Sequence, residues 1–380
     1  MSYPSVDDLQ KTLSESVFHY AKDRKKAAGR ALGTLVEVIT FYLLKTWQLQ
    51  PFMAIERRLP EYSAEDITHN VEYSLHPSWP VTDLAFSAKD LPLSVRKLAR
   101  ALSENGILIG SSGEKTHQLL SSDLVLRNAC TIADHGKFFL VAAVTAFSPQ
   151  EIMVAVSRLF YRPFALVECK RVGVEEGTRK GPQTIEKAKQ GACVARSVSS
   201  LQRIRLASGE IGGVFVSASG KITCKNYDHF LREIIDSADP ELLGRFILTV
   251  GIVSNHGNWF TSDNHNKELT VLARSYDWLL FLTDEGLAEF INDLILHPSR
   301  NYRPVRDAFL ASYVGRSGAN RFTKVRIALE ADQLLQAYFT ANLAKVESWF
   351  NVIGPRRKGL QLLCDELHRL AEKKWEEIHK

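Results

Sequence analysis

The sequence predicts an α/β fold, with a mixed β-sheet core flanked by helices, a helical insertion and a helical carboxy-terminal region. Three observations carry that expectation. Between Phe164 and Leu296 short apolar, β-prone runs alternate with helical stretches, the rhythm of a sheet with helices on its faces. Between Ser87 and Leu126 the composition changes to short pieces around the Gly110-Ser-Ser-Gly113 turn, which marks an insertion. After Pro298 the apolar spacing is helical to the end. The domain division that follows is a core over 1–297, with the insertion at 87–126, and a basic helical region over 298–380.

Taken in chain order, Asp23 to Trp47 opens with Arg24, Lys25, Lys26 and Arg30. It continues with Leu32, Leu35, Val36, Ile39, Leu43 and Leu44 at three- and four-residue steps, a helix by its period. Glu37 interrupts that stripe, either as a residue at its edge or as a carboxylate reaching a metal site. Met53 to Arg58 and Thr68 to His76 read as strands. In the second, Val71, Tyr73 and Leu75 alternate with Asn70, Glu72 and Ser74, so one face is expected buried and the other wet. Ser94 to Leu102 and Thr116 to Leu120 read as helical pieces of the insertion.

Asn128 to Ala133 and Phe138 to Phe147 form two β-prone runs about the turn Asp134-His-Gly-Lys137, a hairpin. Ser148 with Glu151 has capping-box spacing and predicts a helix to Tyr161. The strand Phe164 to Lys170 follows, then a Gly- and charge-rich loop and a helix from Pro182 to Ser199. Gly213 to Ala218, Phe246 to Ser254 and Trp278 to Leu282 are further strands, and Asp284 starts a helix over Glu285 to Leu296.

Composition narrows the function classes. In 380 residues, 45% hydrophobic and 24% charged residues describe a chain that buries a core and is not disordered. The longest apolar run, Phe138 to Phe147, falls short of the roughly 20 residues that cross a bilayer. The start, Met1-Ser-Tyr-Pro-Ser-Val-Asp-Asp, is acidic where a secretory signal is basic, so a cytoplasmic location is expected. The five cysteines have no Cys-x-x-Cys spacing, which suggests neither a disulfide framework nor a thiolate zinc site. The net charge of +5 permits a polyanionic partner if the basic residues cluster.

The chemistry concentrates between Ala165 and Ala195. An apolar strand ends in Glu168-Cys-Lys170; alternation puts the carboxylate and the ammonium on one face and Cys169 on the other. Charges leaving a buried strand are costly unless they pair or serve a ligand. A simple ion pair is the plain reading. Position favours more, because a loop with Gly173, Gly177, Arg179, Lys180 and Gly181 follows, and ligands of α/β sheets sit beyond the carboxyl ends of strands.

Val167-Glu-Cys-Lys-Arg-Val-Gly-Val-Glu-Glu-Gly177, continuing as Lys180-Gly-Pro-Gln-Thr-Ile-Glu-Lys-Ala-Lys-Gln-Gly191, resembles the active-site strand and following helix of the PD-(D/E)XK nucleases, in particular type II restriction endonucleases. The resemblance implies a restriction-endonuclease-like sheet and Mg²⁺-dependent hydrolysis of double-stranded DNA at a specific sequence, as in restriction-modification systems, by a homodimer. It implies that Glu168 and an upstream Asp hold Mg²⁺, with the Cys169 backbone carbonyl in the half-shell, while Lys170 positions and activates the attacking water. Mg²⁺ suits such donors, being a hard ion that takes carboxylates, water and phosphate. The upstream acid is Asp134 by first choice and Asp83, in Val81-Thr-Asp-Leu-Ala85, by second. A third possibility is Ala129, standing where an acid has been replaced. Gln190 resembles the glutamine or glutamate that some family members place beside the metal.

Asn255-His-Gly-Asn-Trp-Phe and Asp263-Asn-His-Asn-Lys267 invite an HNH-nuclease reading through His256 and His265. They lack its strand-strand-helix frame, so a polar loop is expected there. From Ser299 to Arg326, Arg300, Arg303, Arg306, Arg316, Arg321, Lys324 and Arg326 face Asp307 alone, with four aromatic residues among them. This pattern fits phosphate and base-edge contacts as well as a solvated helix face. A repair or junction-resolving nuclease of the same fold, and a DNA-binding protein without catalysis, are the alternatives.

Overall fold

The computed structural model describes residues 5–57, 70–107, 109, 111–112, 117–173, 188–256, 267–313 and 320–378. Its centre is a six-stranded mixed sheet in the order Met53–Arg57, Val71–Leu75, Ala165–Gly173, Leu248–His256, Trp278–Leu282, Phe350–Gly354. The first three strands pair antiparallel, the next two join in parallel, and the last returns antiparallel. The protein is therefore a mixed α/β fold, and the Trp278–Leu282 strand, buried at every position, reads as continuous apolar sequence because helices cover both faces.

On one face lies the helix Arg24–Thr46, capped by the Asp23 side chain accepting from the Lys26 N–H. Phe41 stacks on Tyr73 and the Tyr73 hydroxyl donates to the Glu37 carbonyl at 2.6 Å. This helix is long and apolar enough to cross a bilayer by length and composition. Leu32, Leu35, Val36, Ile39, Leu43 and Leu44 are all covered by the protein's own core. On the other face the helix Gln190–Val198 packs Val194 and Ala195 against Val71, Leu166 and Ile247. Of the expected helix from Pro182, residues 182–187 lie outside the described residues, as does the loop 174–181.

A five-stranded antiparallel sheet forms a second layer, in the order Ser78–Phe86, Ile152–Phe160, Phe138–Phe147, Cys130–Asp134, Ser111–Ser112. The hairpin across Asp134 to Lys137 is present. The expected helix from Ser148 to Tyr161 is instead the strand Ile152–Phe160. The Ser148 hydroxyl does accept the Glu151 N–H at 3.0 Å, but it closes a turn between two strands. The same local hydrogen bond serves a cap or a turn, and Ile152, Val154 and Val156, all buried, pair on both edges, so tertiary pairing overrides the local signal. Thr116 to Leu120 likewise yields the strand Gln118–Leu120 rather than a helix.

Two boundaries differ from the expected ones. The 87–126 segment contributes Leu93–Ser94, Gln118–Leu120 and Val125–Arg127 to a four-stranded sheet completed by Arg326–Ala328. The region after Pro298 also supplies the edge strand Phe350–Gly354 of the central sheet. The described residues after Pro298 thus contribute strands to two sheets rather than forming only an appended helical region. Ile211–Val216, expected among the main strands, belongs to a separate three-stranded meander with Leu201–Arg205 and Ile222–Asn226.

Candidate active site

The site forms where the ladder between Val71–Leu75 and Ala165–Gly173 ends. Ala165 pairs with Leu75, Leu166 with Ser74 and Val167 with Tyr73; the next position on each strand is a glutamate, Glu168 and Glu72. The Glu72 N–H, past the last ladder pair, turns to Glu168 Oε1 at 3.4 Å. Lys170 Nζ lies 2.7 Å from Glu72 Oε1 and 3.6 Å from Glu168 Oε2. Two strands thus deliver two carboxylates and an ammonium to one point.

Glu168 is 1% exposed, and its Oε2 is a buried oxygen with no hydrogen-bond partner. Burial pushes its carboxyl up to about 7, the Lys170 ammonium opposing and the Glu37 carboxylate adding to the shift. The Gln190–Val198 helix closes over this side chain: a Cβ added at Gly191 would stand 2.6 Å from Glu168 Cγ. As alternation requires, Cys169 points the other way, its thiol in contact with Thr40 on the long helix and raised by burial. The Cys169 backbone runs beside Ile252 in the parallel ladder.

A second cation enters from the carboxy-terminal region. Lys324 is 3% exposed; its Nζ contacts Glu72 Oε2 and lies 3.0 Å from Glu37 Oε2 and 3.1 Å from Glu56 Oε1. Glu56 reaches it from a left-handed backbone, φ 51°, opposite Glu72 in a strand where Ile55 pairs with Tyr73 and Arg57 with Val71. Such a conformation in a non-glycine residue is strained, and strain of this kind clusters at functional sites. Four carboxylates, Glu37, Glu56, Glu72 and Glu168, therefore meet two ammonium groups.

Asp134 and Asp83 are not brought to this point. Asp134 ends a strand of the five-stranded sheet, exposed, its carboxylate accepting from the Gly136 N–H at 2.9 Å and from the Tyr161 hydroxyl. Asp83 is exposed on the edge strand of the same sheet, opposite Ala155. Ala129, with φ 47°, lines a cavity of about 700 Å³ with Leu126 and Leu329. Sequence reading missed Glu72 by giving it to a wet face. All five residues of its strand are buried, because the strand has neighbours on both edges and helices above and below. The available signal was an acid flanked by Val71 and Tyr73; the partner strand that makes it meaningful is set by register.

Asn255, expected in a polar loop, is 1% exposed and donates to Asp284 at 3.1 Å. Its carbonyl accepts from Arg171 Nε at 3.1 Å, so it supports the end of the Glu168 strand. The His256 side chain, His265, Arg316, Lys187 and the Gln190 side chain lie outside the described residues. Arg300 and Arg303 are exposed. A groove of about 810 Å³ beyond the Gln190–Val198 helix is lined by Arg196, Arg203, Arg205, Arg274, Arg356 and Lys358.

The fit to a divalent ion is tested by the donor set. Among the described residues no three His, Cys, Asp or Glu side chains form a ready metal cage; the point on which Glu37, Glu56 and Glu72 converge is filled by Lys324 Nζ. A Glu168 oxygen without a hydrogen-bond partner beside Glu72, in an acid-rich buried site, nevertheless suits a hard cation with oxygen ligands. Comparison with family models, with curated proteins and with solved structures finds no match for this chain.

Proposed function

We propose that this protein is a Mg²⁺-dependent endonuclease that hydrolyses phosphodiester bonds of double-stranded DNA, of the type II restriction kind, on a restriction-endonuclease-like sheet. The observation that carries this reading is the meeting of Glu72, Glu168 and Lys170 where the pairing of two adjacent strands ends, with one Glu168 oxygen lacking a hydrogen-bond partner. The order of parts supports it: a helix, three antiparallel strands, a helix and a parallel strand. Glu72 takes the place first given to Asp134.

In this reading Glu72 and Glu168 hold the ion, which supplies Lewis-acid stabilisation of the charge that builds on the phosphate. Lys170, fixed by both carboxylates, points its ammonium at the same centre and orients the attacking water by hydrogen bonding. Its positive charge also favours the more negative transition state over the ground state. Gly191 lets the helix press on Glu168, which limits the carboxylate to one orientation. The arginine-lined groove and the exposed Arg300 and Arg303 contact DNA phosphates, and a two-fold homodimer presents one site to each strand.

The test is incubation of plasmid and phage DNA with and without Mg²⁺, using the wild-type chain and Glu72→Gln, Glu168→Ala and Lys170→Ala. Discrete Mg²⁺-dependent fragments, lost at least 100-fold in each variant, are expected. Equal cutting by all four proteins rejects the assignment. The filling of the acid cluster by Lys324 favours, as second reading, a DNA-binding protein without catalysis; salt-sensitive binding with no cleavage at any Mg²⁺ concentration is its signature.

A further inference from the structure

Lys324 is presented by a built device. It sits at the tip of a hairpin in which the Ala328 N–H donates to the Arg321 carbonyl at 2.8 Å and the Thr323 N–H to the Arg326 carbonyl at 2.8 Å. The Thr323 hydroxyl closes the turn, accepting the Arg326 N–H at 3.0 Å. Asn128 clamps the tip from outside, its side-chain amide donating to the Lys324 carbonyl at 2.9 Å and its backbone N–H to the Val325 carbonyl at 2.9 Å. Phe322, fully buried, anchors the hairpin edge-on against Phe309. The backbone is thus fixed, so the ammonium can shift within the acid cluster only by rotation about the bonds of its four-carbon side chain.

The division of labour on Glu72 is informative. Its Oε1 is engaged by Lys170 and its Oε2 by Lys324. An ion held by Glu72 and Glu168 needs a Glu72 oxygen. Lys170 shares both carboxylates, whereas Lys324 has two further acceptors in Glu37 and Glu56, whose side chains are 28% and 51% exposed. Withdrawal of Lys324 from Glu72 toward those acids costs least, because its charge keeps two partners in wetter surroundings.

We infer that Lys324 is a resident counter-cation of the acid cluster, which occupies Glu72 until a divalent metal ion displaces its ammonium toward Glu37 and Glu56. The inference rests on the metal-dependent reading above and adds a competitor that the chain itself supplies. It follows that the metal-free site has part of its negative charge offset by its own hairpin, and that the metal binds more weakly than the four acids alone would dictate. Removing the competitor tightens metal binding even though it removes no ligand.

The experiment compares the wild-type chain with Lys324→Met, which keeps the length of the side chain without its charge, by calorimetric titration with Mn²⁺ in the absence of DNA at pH 7.5. Mn²⁺ affinity is expected to rise about tenfold or more in Lys324→Met, and to be lost when Glu168→Gln is added to it. Unchanged or weaker Mn²⁺ binding by Lys324→Met overturns the inference. If that variant does not fold alone, recovery of its circular dichroism by Mn²⁺ at concentrations that leave the wild type unaffected carries the same conclusion, and absence of recovery overturns it. Tighter Mn²⁺ binding by Lys324→Met, with no DNA cleavage by the wild type, would reject the nuclease reading and leave the counter-cation standing.

Discussion

Replacing Glu168 by Gln should stabilise the protein at alkaline pH while abolishing the chemistry proposed for it. The carboxyl ordinarily titrates near 4.5 and is pushed up to about 7 by burial in the folded chain. Between those values the native state holds a proton that the unfolded state has released, so stability falls as pH rises across the window. Each pH unit of displacement corresponds to 1.36 kcal/mol, and the wild type should therefore lose about 2 to 3 kcal/mol between pH 5 and pH 8 through this group alone. Glu168→Gln keeps the shape, keeps an oxygen for the Glu72 N–H and has no charge to desolvate. Urea unfolding of both proteins in EDTA at pH 5, 6, 7 and 8 compares them directly, since the titrations of groups remote from Glu168 are shared. The free-energy gap between variant and wild type should widen by about 2 to 3 kcal/mol across that range. A gap that stays constant with pH would refute the reasoning, because it would mean that the buried carboxyl titrates normally.

Gly191→Ala places a methyl group 2.6 Å from Glu168 Cγ and should cost about 1 to 3 kcal/mol by thermal or urea unfolding. In the long helix Gly33→Ala, with nothing within 4 Å of the added atom, should be neutral or stabilising by up to about 1 kcal/mol. Arg203 donates to Asp277 at 2.7 Å and to the Tyr276 carbonyl at 2.8 Å, and Asp277 is 8% exposed. Arg203→Met should therefore destabilise by about 1 to 3 kcal/mol in a urea titration, because the buried Asp277 carboxylate loses its cation and keeps only the Tyr227 and Thr249 donors. Duplex binding measured by fluorescence anisotropy against salt should lose close to one counterion of slope for each of Arg274→Ala and Arg356→Ala in the groove; an unchanged slope would place the DNA elsewhere.

Local pattern made much of the sheet legible. Trp278–Leu282 has the bounds its apolar run predicts, and the alternation through Glu168-Cys-Lys170 put Cys169 opposite its two neighbours, as the contacts with Thr40 and Gly191 bear out. The failures came where one local signal serves two structures. Ser148 and Glu151 form their hydrogen bond in a β-turn instead of a helix cap, and strand pairing on both edges made the choice.

By itself the sequence determined the strand that carries a carboxylate and an ammonium on one face, though it runs on to Gly173, the amphipathic helices on either side of it, and the scatter of the cysteines, since each is a matter of residue type at short spacing. Tertiary structure alone decided which acid joins Glu168. Glu72 precedes it by 96 positions and Lys324 lies 252 positions beyond Glu72, and these residues meet through strand register and the docking of a hairpin. Neither leaves a periodic trace in the chain. Period and capping report on neighbours a few residues apart, whereas a site made of side chains from five separate elements exists only once burial has set those elements against one another.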